Sequence, residues 1–407
     1  MKCRICQHEI SPFMTYGRMP IANGFLTPDQ FKDEYFFELK PAFCDHCLTF
    51  QIEEQPAPEA MFHDHYAFFS RTSKFMQAHF KEYAAWVCDH HLKGDNAGLF
   101  VVELGSNDGI MLENFAKRGI RHLGVEPSAN VAEEARKHGV NTIVRFFGAD
   151  TAADIVAEYG QADALIAANV MCHIPDLNGI AKGADRLLKP DGVLIFEDPY
   201  LGAMIEKTSY DQIYDEHVFI FSALSVANMF APYGFELIDL LPQHTHGGSM
   251  RYVLARKGAR PVAPSVVEIT ASEKAAGLHL PETYEQFRRN CETSKEDLVR
   301  ILKEEKAAGR RVVGYGATSK STTILNYCGI GPDLIEFISD TTPIKQNKFT
   351  PGMHIPVRSY DAFAENYPDT ALLFAWNHQT EIMEKEKAFS AQGGEWIVHV
   401  PKVKVLG

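Results

Sequence analysis

The sequence predicts an α/β protein in three consecutive parts: a small cysteine-ligated N-terminal module, a central α/β domain and a C-terminal α/β domain. Three observations carry that expectation. Two CxxC pairs, Cys3/Cys6 and Cys44/Cys47, open the chain. From Leu99 short apolar strands alternate with amphipathic segments, the pattern of a largely parallel sheet flanked by helices. After Gly309 a second strand, glycine-containing turn and helix begin in "RRVVGYGATSKSTTILNYCG". The limits are placed at 1–65, 66–257 and 258–407.

With 407 residues and 45% hydrophobic content the chain can bury sizeable cores. Its net charge of −13, with no basic run, argues against a nucleic-acid partner bound through phosphate neutralisation. No segment reaches the roughly 18 uncharged apolar residues of a membrane helix, so a cytoplasmic location with no membrane partner is expected.

The N-terminal module is read from its cysteines. Each CxxC turn aims two sulfurs at one ion, so Cys3, Cys6, Cys44 and Cys47 form a tetrahedral thiolate zinc site in a reducing compartment. Four thiolates leave no open coordination position, which makes the Zn2+ structural. Cys88, Cys172, Cys291 and Cys328 are scattered and read as core or incidental thiols.

The segment "HYAFFSRTSKFMQAHFKEYAAWVCDHHL" then places Phe75, His79, Phe80, Tyr83 and Trp86 near one helical face. Strand and helix alternate through "LFVVELGSNDGIMLENFAKRG", "ADALIAANVMCHIPD" and "GVLIFEDPY". "GARPVAP", after Lys257, supplies a boundary. A long helix begins near Pro281, with Tyr284, Phe287, Cys291, Leu298 and Ile301 at helical spacing and Gly309 as its stop.

Two glycine-containing turns could hold ligands. In "VVELGSNDG", Glu103 ends the strand, Gly105 makes the turn and Gly109 opens the helix, and the GxGxxG pattern of a dinucleotide site is broken. The stretch resembles motif I of class I S-adenosylmethionine methyltransferases, with Asn107 in place of the central glycine. At the next strand end Glu126, in "GVEPS", stands where such enzymes carry the acid that accepts both ribose hydroxyls, a job suited to a carboxylate. The alternative is a ligand-free turn capped by an acid. In the second turn, Gly314 and Gly316 are followed by Ser319 where a third glycine would complete the fingerprint, and Asp340 ends the next strand. A structural repeat, a nucleotide site and an NAD-dependent enzyme all stay open on that signal.

The whole set of motifs resembles the sugar C-methyltransferases of deoxysugar biosynthesis, which act on nucleotide-linked 4-keto sugars. The resemblance spans nearly the whole chain. It rests on the double CxxC, "PIANGFL", "ELGSNDG", "NVMCHIPD", "YDEH", "HGGSMR" and "GYGATSKSTTILNY", in the family's order. It implies a zinc-binding domain, a central class I methyltransferase domain of Rossmann-like fold binding S-adenosylmethionine, and a C-terminal Rossmann-like domain holding the nucleotide sugar against it. The cofactor residues it implies are Glu103, Gly105, Asn107, Asp108, Gly109, Glu126, Pro127 and Asn169. The implied sugar-nucleotide contacts are His246, Arg251, Gly316, Lys320 and Asp340, toward a dTDP- or GDP-linked keto sugar. A monomer or weak homodimer is expected.

The cluster "IYDEHVFIF" (residues 213–221), which by itself reads as a solvated turn, gains a chemical role from the resemblance. A ketone acidifies the neighbouring C–H, and a base must take that proton; histidine, with a reference pKa of ~6.5, suits the task. The resemblance assigns the base to His217. Glu216 orients the sugar or fixes the imidazole tautomer, Tyr214 offers a phenol to the developing enolate, and His173 flanks the same cleft. Family members often carry a second tyrosine in the "YAFFS" stretch, where this chain has Tyr66 followed by Phe68; either Tyr66 makes that sugar contact or the contact is missing. The competing expectations are an O- or N-methyltransferase on a nucleotide sugar or related small molecule, and a nucleotide-sugar-binding protein without catalysis.

Overall fold

In the computed structural model, residues 1–57, 70–72 and 74–407 are described. Tyr66 lies outside them. No helix among the described residues is long and apolar enough to cross a membrane.

The N-terminal module has two small antiparallel sheets. One pairs β1 (Arg18–Pro20) with β2 (Phe36–Glu38), the other β3 (Pro41–Cys44) with β4 (Thr49–Ile52). A third strand closes the second sheet from far along the chain: β10 (Phe219–Ile220) pairs antiparallel with β4, Phe219 opposite Gln51 and Ile220 opposite Phe50. The apolar tail of "YDEHVFIF" is therefore a buried strand joining the module to the rest of the molecule.

The central sheet has the order β11-β12-β9-β8-β5-β6-β7. Its parallel part comprises β5 (Phe100–Leu104), β6 (Arg121–Val125), β7 (Thr142–Ile143), β8 (Ala162–Ala168) and β9 (Leu188–Pro199). Then β11 (Phe235–Gln243) and β12 (Ser249–Arg256) run antiparallel along the β9 edge. Every residue of β5 is buried, as befits a strand covered on both faces by helices. The chain leaves β5 toward β6 on one side and returns to β8 on the other, so a crevice opens beyond the carboxyl ends of these strands. Helix Lys74–His91 packs on one face with Phe80, Tyr83 and Val87 buried. Phe75, near the helix start, departs from the expected stripe and is 53% exposed.

The C-terminal sheet has the order β15-β14-β13-β16-β17-β18. Its strands are β13 (Val312–Tyr315), β14 (Ile338–Ser339), β15 (Val357–Arg358), β16 (Thr370–Leu373), β17 (Glu395–Val398) and β18 (Lys404–Leu406), parallel except for the last pair. The long helix runs from Pro281 to Ala307, with proline in its first turn and Gly309 beyond its end at φ +72°. It buries Tyr284, Phe287, Cys291, Leu298 and Leu302, Leu302 taking the place expected of Ile301. The helix Pro264–Ala275 lies beyond Lys257 yet packs on β11 and on the helix Ala223–Phe230 of the central unit.

One continuous core crosses all three parts, from Tyr16 and Phe50 through Tyr210 and Phe219 to Tyr284 and Cys328. The segment 210–221 sits in the middle of it. That position, more than any local propensity, determines what the "YDEH" residues can do.

Candidate active site

Four sulfurs converge in the N-terminal module. Cys3 Sγ lies 3.5 Å from Cys47 Sγ, Cys6 Sγ lies 3.5 Å from Cys44 Sγ, and all four atoms lie within 4.8 Å of one another. A tetrahedral zinc with bonds of about 2.3 Å sets its sulfurs about 3.8 Å apart, so this donor set fits the ion and leaves no position for water. The outer contacts fit too: Gln51 Nε2 donates to Cys3 Sγ at 3.1 Å, and the Thr49 hydroxyl lies 3.1 Å from Cys47 Sγ.

At the switch-point crevice the loop after β5 folds onto its neighbours. Gly105 has φ +57°, and a Cβ there would meet Val170 Cγ2 at 2.5 Å. Asn107 has φ +48°, a left-handed conformation that asparagine tolerates, which explains how it stands where the motif has glycine. At Gly109, φ +75°, an added Cβ would come within 2.8 Å of Val140 Cγ2. Glu126, with Pro127 after it, ties the loop down: its two oxygens accept from the backbone N–H groups of Asn107 and Ser128, each at 2.9 Å. Each oxygen keeps a lone pair for a ligand hydroxyl.

Residues upstream cover this loop. Ser70 N–H donates to Asn107 Oδ1 at 3.1 Å and Arg71 N–H to Asp108 Oδ2 at 2.8 Å. Burial raises the pKa of Glu103 well above its ordinary value, and the neighbouring Asp108 and Glu126 raise it further. Glu103 Oε2 and Asp108 Oδ1 are buried acceptors with no partner among the described residues. Asn169 enters from the end of β8 at φ +55°, its N–H bonded to the Glu197 carbonyl oxygen at 2.7 Å. Orphaned acceptors beside an acid with free lone pairs fit a ligand that brings an ammonium and hydroxyl donors, as S-adenosylmethionine does.

The loop Tyr214–His217 lies between this crevice and the C-terminal domain. His217 Nδ1 is 2.7 Å from the Gln212 carbonyl oxygen and Nε2 is 2.9 Å from the Tyr214 hydroxyl. A carbonyl only accepts, so Nδ1 carries the proton and Nε2 is the basic atom, receiving the Tyr214 O–H. The tautomer is thus set by Gln212. Glu216, one of two roles expected for which was to fix it, instead accepts from Asn23 Nδ2 at 2.7 Å. Its neighbour Asp215 accepts from the Ala22 N–H at 3.0 Å. Burial holds the His217 pKa well below the ordinary imidazole value; His173, Lys320 and His246 push the same way, against the Gln212 hydrogen bond. The His173 ring lies 5.3 Å from that of His217, centroid to centroid, and burial lowers its pKa to about 4. Burial thus favours the neutral form of both rings. Burial pushes Asp215 up to about 8, with Glu216 adding to the effect, and burial raises Glu216 as well.

In "HGGSMR" the loop and the strand residue part company. His246, at φ +53°, has a buried Nε2 without a partner among the described residues, and burial lowers its pKa to about 3. Arg251 is engaged within the protein. It lies in β12 opposite Glu197, bonds Glu197 Oε2 through Nη2 at 2.9 Å and stacks 3.7 Å over the Tyr83 ring. Strand register, rather than nearness in sequence to His246, chose its partner. Glu197 in turn accepts from the Thr245 hydroxyl at 3.0 Å and lies 2.7 Å from His79 Nε2, so Arg251 holds the loop indirectly.

The second glycine turn repeats the first. Asp340 Oδ2 accepts from the Ala317 N–H and Oδ1 from the Thr342 N–H, both at 2.7 Å, just as Glu126 holds its own turn. Gly316 has φ +89°. Lys320, in the first turn of the helix Ser319–Cys328, forms no hydrogen bond or ion pair among the described residues, and burial lowers its pKa.

The structure therefore brings Tyr214, Glu216, His217 and His173 together, with His246 and Lys320 bearing on the same space, and pairs Arg251 with Glu197. Sequence reasoning missed Gln212 and Asn23. "PIANGFL" contained the signal for Asn23, since that motif meets both "YDEH" and the C-terminal domain: the Thr322 hydroxyl donates to the Ala22 carbonyl oxygen at 2.8 Å.

Three family models match consecutive parts of the chain: "Putative zinc binding domain" over residues 3–62, "Methyltransferase domain" over 65–240 and "C-methyltransferase C-terminal domain" over 244–401. The chain is 33% identical over 408 residues to the C-methyltransferase NovU of Streptomyces niveus, covering 100% of this chain and 96% of that protein. A shorter stretch is similar to a ubiquinone biosynthesis O-methyltransferase of Xanthomonas oryzae pv. oryzae, 30% identical over 102 residues, 25% of this chain and 43% of that one. The same enzyme of Methylococcus capsulatus matches at 30% over 104 residues, again 25% and 43%.

Proposed function

From the premise that the chain belongs to the C-methyltransferase family, we propose that it methylates a carbon, C3', beside the ketone of a nucleotide-linked 4-keto-deoxysugar in the cytoplasm. S-adenosylmethionine supplies the electron-poor methyl group, and the zinc is structural. The observation that carries the reading is the buried, neutral His217 with its Nδ1–H held by Gln212 and its Nε2 aimed at the Tyr214 hydroxyl.

In this reading the sugar enters between the central and C-terminal domains, its nucleotide toward the Gly316 turn and Lys320. Nε2 of His217 takes the proton from the carbon beside the ketone, and the C–H electron pair moves onto the ketone oxygen. Tyr214, released from Nε2, donates its O–H to that oxygen as charge develops. Burial keeps water from the carbanion and holds the base unprotonated at neutral pH. Glu216 and His173 orient the sugar ring. Glu126 and the loop 103–109 place the donor in the crevice at the ends of β5 and β6.

The test is exchange of the acidic proton with heavy water, using a dTDP-linked 4-keto-6-deoxy sugar without methyl donor. The native protein should exchange it and His217→Asn should not. A native protein that neither exchanges the proton nor methylates any of a panel of dTDP- and GDP-linked keto sugars would refute the proposal.

A further inference from the structure

The turn that supplies the Gln212 carbonyl is held by the C-terminal domain. Tyr210–Gln212 forms a single 3-10 turn, and its middle residue, Asp211, is fully buried. Asp211 Oδ2 accepts from the indole N–H of Trp376 at 2.6 Å and from His399 Nε2 at 3.2 Å. One residue past the turn, the Ile213 carbonyl oxygen accepts from the Thr323 hydroxyl at 3.1 Å. Trp376 also touches the other side of the cleft. A Cβ at Gly247, in the "HGGSMR" loop, would come within 2.2 Å of the indole ring, so glycine is required where the loop lies against it.

We propose that Trp376, acting through Asp211, is a positioning residue that holds the Gln212 carbonyl where it keeps His217 as its Nδ1–H tautomer. The inference rests on the reading of His217 as the base. It goes beyond it by giving the C-terminal domain a part in the proton transfer in addition to binding substrate. A carboxylate accepting two N–H donors inside the protein is a stiff anchor, since each bond is charge-assisted and no water competes. The next residue's carbonyl inherits that stiffness. Because the same indole lies against Gly247, the base and the loop bearing His246 share one support, and the cleft is assembled only when the C-terminal domain is docked.

The experiment compares the native enzyme with Trp376→Phe, which keeps an aromatic ring and removes the N–H. Turnover (kcat) and the rate of proton exchange with heavy water should fall together by about 10-fold or more, the scale of a lost charge-assisted hydrogen bond. KM for the dTDP-linked keto sugar, zinc content and melting temperature should stay near native. In protein labelled with 15N-histidine, the His217 imidazole should show one Nδ1–H tautomer in the native enzyme and a mixture in the variant. A merely structural role would not alter that signal. Asp211→Ala should behave like Trp376→Phe, and Asp211→Asn, which keeps an acceptor oxygen, should lose less. A Trp376→Phe enzyme with native kcat and a single Nδ1–H tautomer overturns the proposal. Should that variant fail to fold, His399→Leu, which removes the other donor to the same oxygen, is read by the same two outcomes. His217→Asn separates the layers: if it still exchanges the proton, the base assignment is wrong. If it does not while Trp376→Phe is native-like, only the positioning role falls.

Discussion

The Tyr214 hydroxyl lies 2.9 Å from Nε2 of His217, the one ring nitrogen left basic once Nδ1 has bonded the Gln212 carbonyl. In the proposed reaction base and proton donor are thus prepaired, and substrate must come between them for either to work.

Replacing His217 with Asn should leave donor and sugar bound while lowering methyl transfer by about 10²–10⁴, the worth of general-base catalysis. Proton exchange should be lost in parallel. Exchange at the native rate would move the role to His173 or Tyr214. Tyr214→Phe should keep the base and lose the donor, lowering turnover by about 10²-fold.

The pH profile follows from burial. The proposed base His217 acts as neutral imidazole, and burial, reinforced by His173, Lys320 and His246, disfavours its protonation. A base whose pKa is depressed takes up its inactivating proton only well below the reference ~6.5. The acid limb of kcat/KM should therefore lie below that value, and activity should hold as pH falls from neutral toward it. An acid limb centred at or above the reference value would show that the ring is solvated in the working enzyme.

Asn23→Ala removes the amide that donates to Glu216 at 2.7 Å and leaves a buried carboxylate short of a donor. Stability should drop by about 1–3 kcal/mol. Burial already raises the Glu216 pKa, and losing this bond to the charged form raises it further, so the loss should shrink as pH is lowered and the carboxyl takes up its proton. Chemical denaturation at two pH values would read this out; an equal loss at both would mean that Asn23 acts through packing alone.

Glu126→Ala should weaken binding of S-adenosylmethionine by about 10- to 100-fold, through its contacts to the donor and through the loop backbone it anchors at Asn107 and Ser128. Calorimetry with unchanged affinity would place the donor elsewhere.

Cys44→Ser should release zinc and lower the melting temperature, because the module has only a small core around its cysteines. Activity should fall too, since β10 pairs with β4 and carries the end of the "YDEH" loop. A variant with native zinc content and native melting temperature would remove the claim.

Much of this was legible in the residues. The paired CxxC turns, the acid-ended strands at Glu103, Glu126 and Asp340, and the long helix from Pro281 are local patterns, each readable within a short window. The site was legible only through the ordered set of motifs, because "YDEH" alone has the composition of a surface turn. Asn107 looked like a weakened motif and proved to be a left-handed residue in the expected loop. The partner of Arg251 was not legible, because Glu197 lies across the sheet rather than nearby in the chain.

By itself the sequence determined the order of strands and helices and the thiolate ligands, since periodicity and ligand chemistry are properties of the residues. Tertiary structure decided which nitrogen of His217 is basic and which ionisable groups burial pushes toward their neutral forms. It also decided that Ala22, Asn23, Asp211 and Trp376, drawn from all three parts of the chain, meet at one loop. Those outcomes depend on which groups share a dry interior, where a single carbonyl 2.7 Å away fixes a tautomer, and no stretch of sequence states its own distance from the rest.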